Sequence, residues 1–312
     1  MIDILGKRYI FFAVSLTIII PGLFLLIFMT LNQRLPLAID FTGGSLLEVR
    51  FESGNAPLPG QVVVLYQDLG VEDVQVQTTE DGTLVARSSV LSDEARSQVV
   101  EGMAQRFNDT VTVLRFDSVG PTIGREVAQR AALTVAIAAV MVILYITFAF
   151  RGIPHAFRYG MCAIIAMIHD VLVVLSLAAI GGMFFGWQMD SLFLTALLTV
   201  IGFSVQDKIV VFDRVRENKN IFRRLPFETL VNHSIVQTLG RSINTQLMTV
   251  EFMLLALALF GGVTLREFAV ILLVGLFSGT YSSIFIAAPI LVLWENREWR
   301  SWFGRRPHQA SA

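Results

Sequence analysis

The chain has 312 residues, 54% of them apolar and only 16% charged, with 24 basic against 25 acidic side chains and a net charge of −1. Soluble domains carry roughly a quarter charged residues, so this balance excludes a wholly soluble protein and makes the lipid bilayer part of the solvent. The near-neutral charge, with no basic stripe interleaved with aromatics outside the membrane-flanking segments, argues against a nucleic-acid partner. A single cysteine, Cys162 inside an apolar run, leaves no disulfide framework and reads as a packing residue.

Six apolar stretches are long enough to cross a hydrocarbon core, which takes about 20 helical residues. The first, Tyr9 to Leu31, follows Lys7 and Arg8 but is too long for a signal peptide and lacks a small-residue cleavage site, so it reads as an uncleaved anchor. The others are expected at Ala131 to Phe150, Phe157 to Gly181, Ser191 to Phe212, Ile243 to Phe260 and Phe268 to Trp294.

Between the first two spans lies a polar domain that reads as strand, helix, strand, strand, helix, strand. The segments are Leu46 to Phe51, Pro59 to Leu69, Val71 to Thr78, Thr83 to Ser88, Ser92 to Phe107 and Val111 to Phe116. That order fits an α+β ferredoxin-like unit. Ser92 is suited to cap the second helix, with Asp93 and Glu94 complementing its dipole. The first helix is less well marked, because Val62, Val63 and Val64 would serve a strand equally well.

Between the fourth and fifth spans, Asn218 to Gly240 mixes basic with apolar residues at helical spacing, as an amphipathic segment along the interface would. Lys and Arg gather on one side of the spans, at Lys7, Arg8, Arg151, Arg158, Arg214, Arg216, Lys219, Arg223, Arg224 and after Trp294, while Arg266 is the exception opposite. The bias places both termini in the cytoplasm and the polar domain outside; Arg125 and Arg130 dissent, but they flank a folded domain. The expected organisation is residues 1–31 as cytoplasmic N-terminus and first span, 32–126 as the external domain, 127–296 as five further spans with the amphipathic linker near 213–240, and 297–312 as a cytoplasmic tail.

Ionisable side chains inside the hydrocarbon cost several kcal/mol and are therefore candidate functional sites. They are His169 and Asp170 on the third span, Asp207 and Lys208 on the fourth, Arg241 entering the fifth and Glu251 within it. Asp207 stands about five residues, roughly 7.5 Å, before the cytoplasmic end of its span. Arg241 enters the next, antiparallel span from that side, so the two are expected to meet if the spans are neighbours. Burial favours the neutral acid and a guanidinium favours its anion, which makes the pair a candidate switch; a permanent ion pair that only fixes packing fits the spacing equally well. His169 and Asp170 point about 100° apart and suit helix packing or a proton route. Lys208 is expected to snorkel to the cytoplasmic interface, and nothing in the sequence identifies a partner for Glu251.

Enzymatic chemistry finds no support: no metal-ligand spacing, nucleophile elbow or phosphate loop occurs, and neither cofactor nor metal is implied. Asp170 and Asp207 alone do not make an intramembrane aspartyl protease. The glycines of DFTGG (Asp40 to Gly44, with Gly43 and Gly44) and of VGPTIG (Val119 to Gly124, with Gly120, Pro121 and Gly124) read as turns between membrane span and folded domain.

These two segments, with HDVLV from His169, GFSVQDKIVVFDRVREN from Gly202, QTLGRSINT from Gln237 and GTYSSIFIAAP from Gly279, resemble in order the SecF family of bacterial protein-export subunits over almost the whole chain. The resemblance implies a polytopic protein of the cytoplasmic (inner) membrane that works with SecD beside the SecYEG channel, using protons to assist translocating unfolded polypeptide. It also implies kinship with the proton-driven exporters of the resistance, nodulation and division superfamily. It assigns proton coupling to Asp207 and Arg241; Asp170, His169, Gln206 and Glu251 stand as candidates for a proton path or for helix packing. Asp213, Arg214, Arg216 and Glu217 of the long fourth-span motif fall at the cytoplasmic interface. Where the family often has Asn-Asp followed by Ser or Thr, this chain has Gln206, Asp207 and Lys208. The reading is therefore an α-helical polytopic membrane protein of six transmembrane helices with an inserted ferredoxin-like domain, serving as a proton-coupled motor subunit. The alternatives are a structural subunit that stabilises SecD and the channel, and a small-molecule exporter.

Overall fold

A computed structural model of the protein describes residues 3–32, 35–54, 56–78, 82–151, 156–246, 252–260 and 263–297. In chain order the elements are α1 (Arg8–Leu31), α2 (Ile39–Thr42), β1 (Gly44–Phe51), α3 (Pro59–Asp68), β2 (Gln75–Thr78), β3 (Thr83–Ser88), α4 (Asp93–Phe107), β4 (Val111–Val119), α5 (Pro121–Ala149), α6 (Ala156–Phe184), α7 (Ser191–Ile221), α8 (Phe227–Gln246), α9 (Phe252–Phe260), α10 (Val263–Ser282) and α11 (Ala288–Glu295). They fall into two compact units, Pro36–Thr134 with Gln188–Ser191, and the remainder.

The smaller unit is built on a four-stranded antiparallel sheet in the order β2-β3-β1-β4. Alternate residues Leu47, Val49 and Phe51 of β1 and Leu84 and Ala86 of β3 enter one core, where Val62, Leu65 and Tyr66 of α3 and Val99 and Met103 of α4 meet them. The three valines belong to a helix: Val62 is buried and Val64 is 43% exposed, and the buried set at 62, 65 and 66 follows helical rather than alternating period. The third expected segment is shortened to Gln75–Thr78, because Gly70 and Asp73 both take left-handed backbone ahead of it.

α4 starts where the sequence places it. Ser92 has extended backbone, its Oγ accepts the Ala95 N–H at 3.2 Å, and the left-handed Asn108 closes the helix. Ser92→Ala is expected to cost about 1 kcal/mol, read as a small fall in the unfolding midpoint of the chain. At the far corner Asp109 accepts from the Ser53 hydroxyl and amide, and this holds its carboxyl below the usual range.

The entry to this unit is set by two glycines in contact. Gly43 has φ +77°, and a Cβ on Gly124 would stand 2.6 Å from the Gly43 nitrogen, so only bare backbone lets the two segments cross. Pro121, first in α5, lacks the N–H that a helix start leaves unpaired anyway.

In the larger unit α6 packs against α1 and α10. A π-helical turn, Ser283–Ala287, joins α10 to α11; Pro289 two residues into α11 offers no N–H to the carbonyl four residues back. Among the described residues, five helical stretches are long and apolar enough to cross a membrane: Leu5–Leu31, Pro121–Ala149, Ala156–Phe184, Ser191–Ile221 and Leu265–Glu295. The fifth expected span, Ile243 to Phe260, includes residues outside those described, Glu251 among them; α8 ends before these residues and α9 begins after them.

α7 continues as helix to Ile221, well past the expected end of the fourth span at Phe212. The expected interfacial linker is mostly a helix packed on protein: Leu230, Val231, Ile235 and Thr238 of α8 are buried. Asn218 Nδ2 donates to Ser234 Oγ at 2.8 Å, and Asn232 Oδ1 accepts from the Ile4 amide at 2.9 Å. Buried polar groups find partners within the protein, which is why this segment faces inward.

Candidate functional site

α6, α7 and α10 each bring small hydroxyl or charged side chains to one point, on residues four apart that share a helix face: Ser204 and Lys208 on α7, Ser278 and Ser282 on α10. At the centre is the Asp170 carboxylate of α6, which is 0% exposed. Its Oδ2 accepts from Ser204 Oγ at 2.6 Å, Ser282 Oγ at 2.7 Å and Lys208 Nζ at 2.8 Å. Its Oδ1 accepts from Ser278 Oγ at 2.8 Å and lies 3.0 Å from His169 Nδ1.

Lys208 does not snorkel. It is 0% exposed and ion-paired with Asp170, because its face of α7 meets a carboxylate of α6 in the protein interior rather than the water at the interface. His169, although adjacent to Asp170 in sequence, does reach the same carboxylate, and its ring stacks on Tyr281 at 6.3 Å between centroids. Tyr281 in turn donates to the Phe11 carbonyl of α1 at 2.8 Å, so four helices are tied to the cluster.

Asp207 is placed very differently. It is also buried, yet Oδ1 has a long contact of 3.4 Å from Ser242 Oγ of α8, the Thr280 hydroxyl of α10 lies near the carboxylate, and among the described residues Oδ2 has no hydrogen-bond partner. Asp207 and Arg241 do not touch: among the described residues no ion pair joins them and Arg241 is exposed, although its guanidinium stands near enough to act on the carboxylate electrostatically. Successive helical residues point about 100° apart, so when Ser242 turns toward α7 its neighbour Arg241 turns away.

Gln206 is exposed and lines a groove with Met141 and Tyr145 of α5 and Gly202 and Val210 of α7. Beyond it the acidic and basic residues of the same motif pair with each other along the helix, Arg214 with Glu217 at 2.8 Å and Arg216 with Asp213 at 2.7 Å. Such exposed pairs contribute at most about 1 kcal/mol each. Asp40 Oδ2 accepts from the amide of Ser191 at 3.0 Å and from its hydroxyl at 2.7 Å, where α7 begins. Sequence reasoning missed Ser204, Ser242, Ser278 and Ser282, although Ser204, Ser242 and Ser282 lie inside the quoted motifs and 204 and 278 stand four residues before 208 and 282.

Together these features define a multi-span helical membrane protein with an inserted antiparallel domain and a buried, ion-paired polar cluster among its helices. The family described as "Protein export membrane protein SecD/SecF, C-terminal" matches residues 99–297, and the "SecD/SecF GG Motif" family matches residues 28–54. The chain belongs to the SecD/SecF family, on its SecF side. It is 70% identical to "Protein translocase subunit SecF" of Anaerolinea thermophila and 44% identical to that of Thermobaculum terrenum, with both chains covered completely in each case. The crystal structure of SecDF from Thermus thermophilus superposes with a TM-score of 0.81 at 31% identity, covering 95% of this chain and 39% of that one. This chain therefore spans well under half of the fused protein.

Proposed function

We propose that the protein is the SecF subunit of a Sec translocase in the cytoplasmic membrane, working with SecD and the SecYEG channel to move unfolded polypeptide by means of the proton gradient. The observation that carries this reading is the contrast between two buried acids on neighbouring helices. Asp170 has a full shell of donors, whereas Asp207 has a long contact from Ser242, a nearby Thr280 hydroxyl and, among the described residues, one oxygen without a partner. A buried carboxylate with few donors is suited to take and release a proton, whereas a saturated one is not. Arg241, one residue from Ser242, stands close enough in sequence to be brought to Asp207 by a modest rotation of α8. One elementary charge crossing about 100 mV supplies roughly 2.3 kcal/mol for such a change.

The fused SecDF relatives support association with a SecD subunit. We place both termini in the cytoplasm, count six spans, and read the inserted domain, with its sheet order β2-β3-β1-β4, as a ferredoxin-like unit outside the membrane. The protein is read as a motor subunit rather than an enzyme, in the manner of the resistance, nodulation and division exporters.

The saturated Asp170 cluster favours a second reading, a scaffold whose intramembrane charges only fix packing. Asp207→Asn separates the two. In vesicles reconstituted with SecD and SecYEG, the variant is expected to assemble normally and to export at the rate seen without a gradient. Export that still responds fully to the gradient would reduce the protein to a scaffold.

A further inference from the structure

Lys208 is wholly buried, and an ammonium has three hydrogens to place. All three find oxygen: Asp170 Oδ2 at 2.8 Å, the Ser204 carbonyl at 3.0 Å and Ser204 Oγ. The carboxylate it faces is held in turn by Ser278 and Ser282 of α10. The hydrogen-bond partners of this nitrogen among the described residues are thus a carboxylate, a carbonyl and a hydroxyl, which is the donor chemistry that hard metal cations take, while the His169 imidazole is turned to the far oxygen of Asp170. The side chain enters the position from the next turn of the same helix that supplies Ser204, so the cation is fixed covalently beside two of its own ligands.

We propose that the Lys208 ammonium is a tethered cation: it occupies the place against Asp170 that a free alkali-metal ion would otherwise take, and so determines that this chain needs no such ion there. Asp170 keeps its compensating charge in every state of the protein without drawing an ion from water. This inference concerns Asp170 and Lys208 alone and stands whether or not Asp207 drives export.

Removing the ammonium while keeping the carboxylate leaves a buried anion in an oxygen-lined cavity, which must then take either a metal ion or a proton. The test is thermal unfolding of the purified full chain in sodium chloride and in choline chloride at equal ionic strength, for the wild type, Lys208→Ala, Lys208→Thr and the double variant Asp170→Asn with Lys208→Ala. The wild type is expected to unfold at the same temperature in both salts. Lys208→Ala and Lys208→Thr are expected to unfold several degrees higher in sodium, rising with its concentration as mass action requires, and the double variant is expected to lose that difference.

A sodium response in the wild type would overturn the proposal. So would its absence from both lysine variants, since Asp170 would then have taken a proton, or an equal response in the double variant, which would be a general salt effect. If neither single variant can be isolated folded in sodium chloride while the double variant can, the cavity rejects the ion and the proposal also fails.

Discussion

Asp170→Ala is expected to destabilise the helical unit by about 3–5 kcal/mol, because it leaves the wholly buried Lys208 ammonium without its counter-charge. It also strips Ser204, Ser278 and Ser282 of their shared acceptor. Replacing both partners by apolar groups removes the charge imbalance, so Asp170→Ala combined with Lys208→Met is expected to be more stable than Asp170→Ala alone. Unfolding midpoints of the single and double variants in the same detergent check this. A double variant as unstable as the single would mean that the pair contributes nothing beyond the space it fills.

Gly44→Ala is expected to damage the smaller unit by about 3 kcal/mol or more. Gly44 has φ +123°, a conformation that L side chains rarely adopt, and a Cβ there would lie 2.7 Å from the Ser88 carbonyl oxygen on the paired strand β3. Backbone strain of this kind and an overpacked contact each cost about 1–3 kcal/mol. Since Gly44 opens β1, the centre of the sheet order, the loss should appear as faster amide exchange across β1, β3 and β4 together, with the exchange of α6 and α10 unchanged. Exchange that rises only at Gly44 itself would show that the strand start gives way locally.

Much of the fold was legible because it depends on local rules. The Ser92 cap and the period of Thr83 to Ser88 each act within a few residues, and the structure has α4 and β3 where those signals lie. The long apolar runs likewise read directly as helices, since length and composition alone decide whether a segment can cross a bilayer. The strand expected from Val71 fell short because Gly70 and Asp73 take left-handed backbone, and the weight of that against the apolar residues Val71, Val74 and Val76 could not be judged locally.

The candidate site was legible only as a list of costly residues. Sequence singled out Asp170, Asp207, Lys208 and Arg241 as charges in an apolar setting, which is a property of each residue and its flanks. Pairing is a property of which helix faces meet, and adjacent residues on one helix, such as Asp207 and Lys208, are sent to different neighbours by a rotation of about 100°. The sequence by itself therefore determined that this is a SecD/SecF-family membrane protein with a folded insertion and several intramembrane charges. Only the tertiary arrangement decided that Lys208 belongs to Asp170 and that Asp207 stands next to Ser242 with an oxygen left over, because a buried charge takes whichever partner the packing of α6, α7, α8 and α10 brings within about 3 Å.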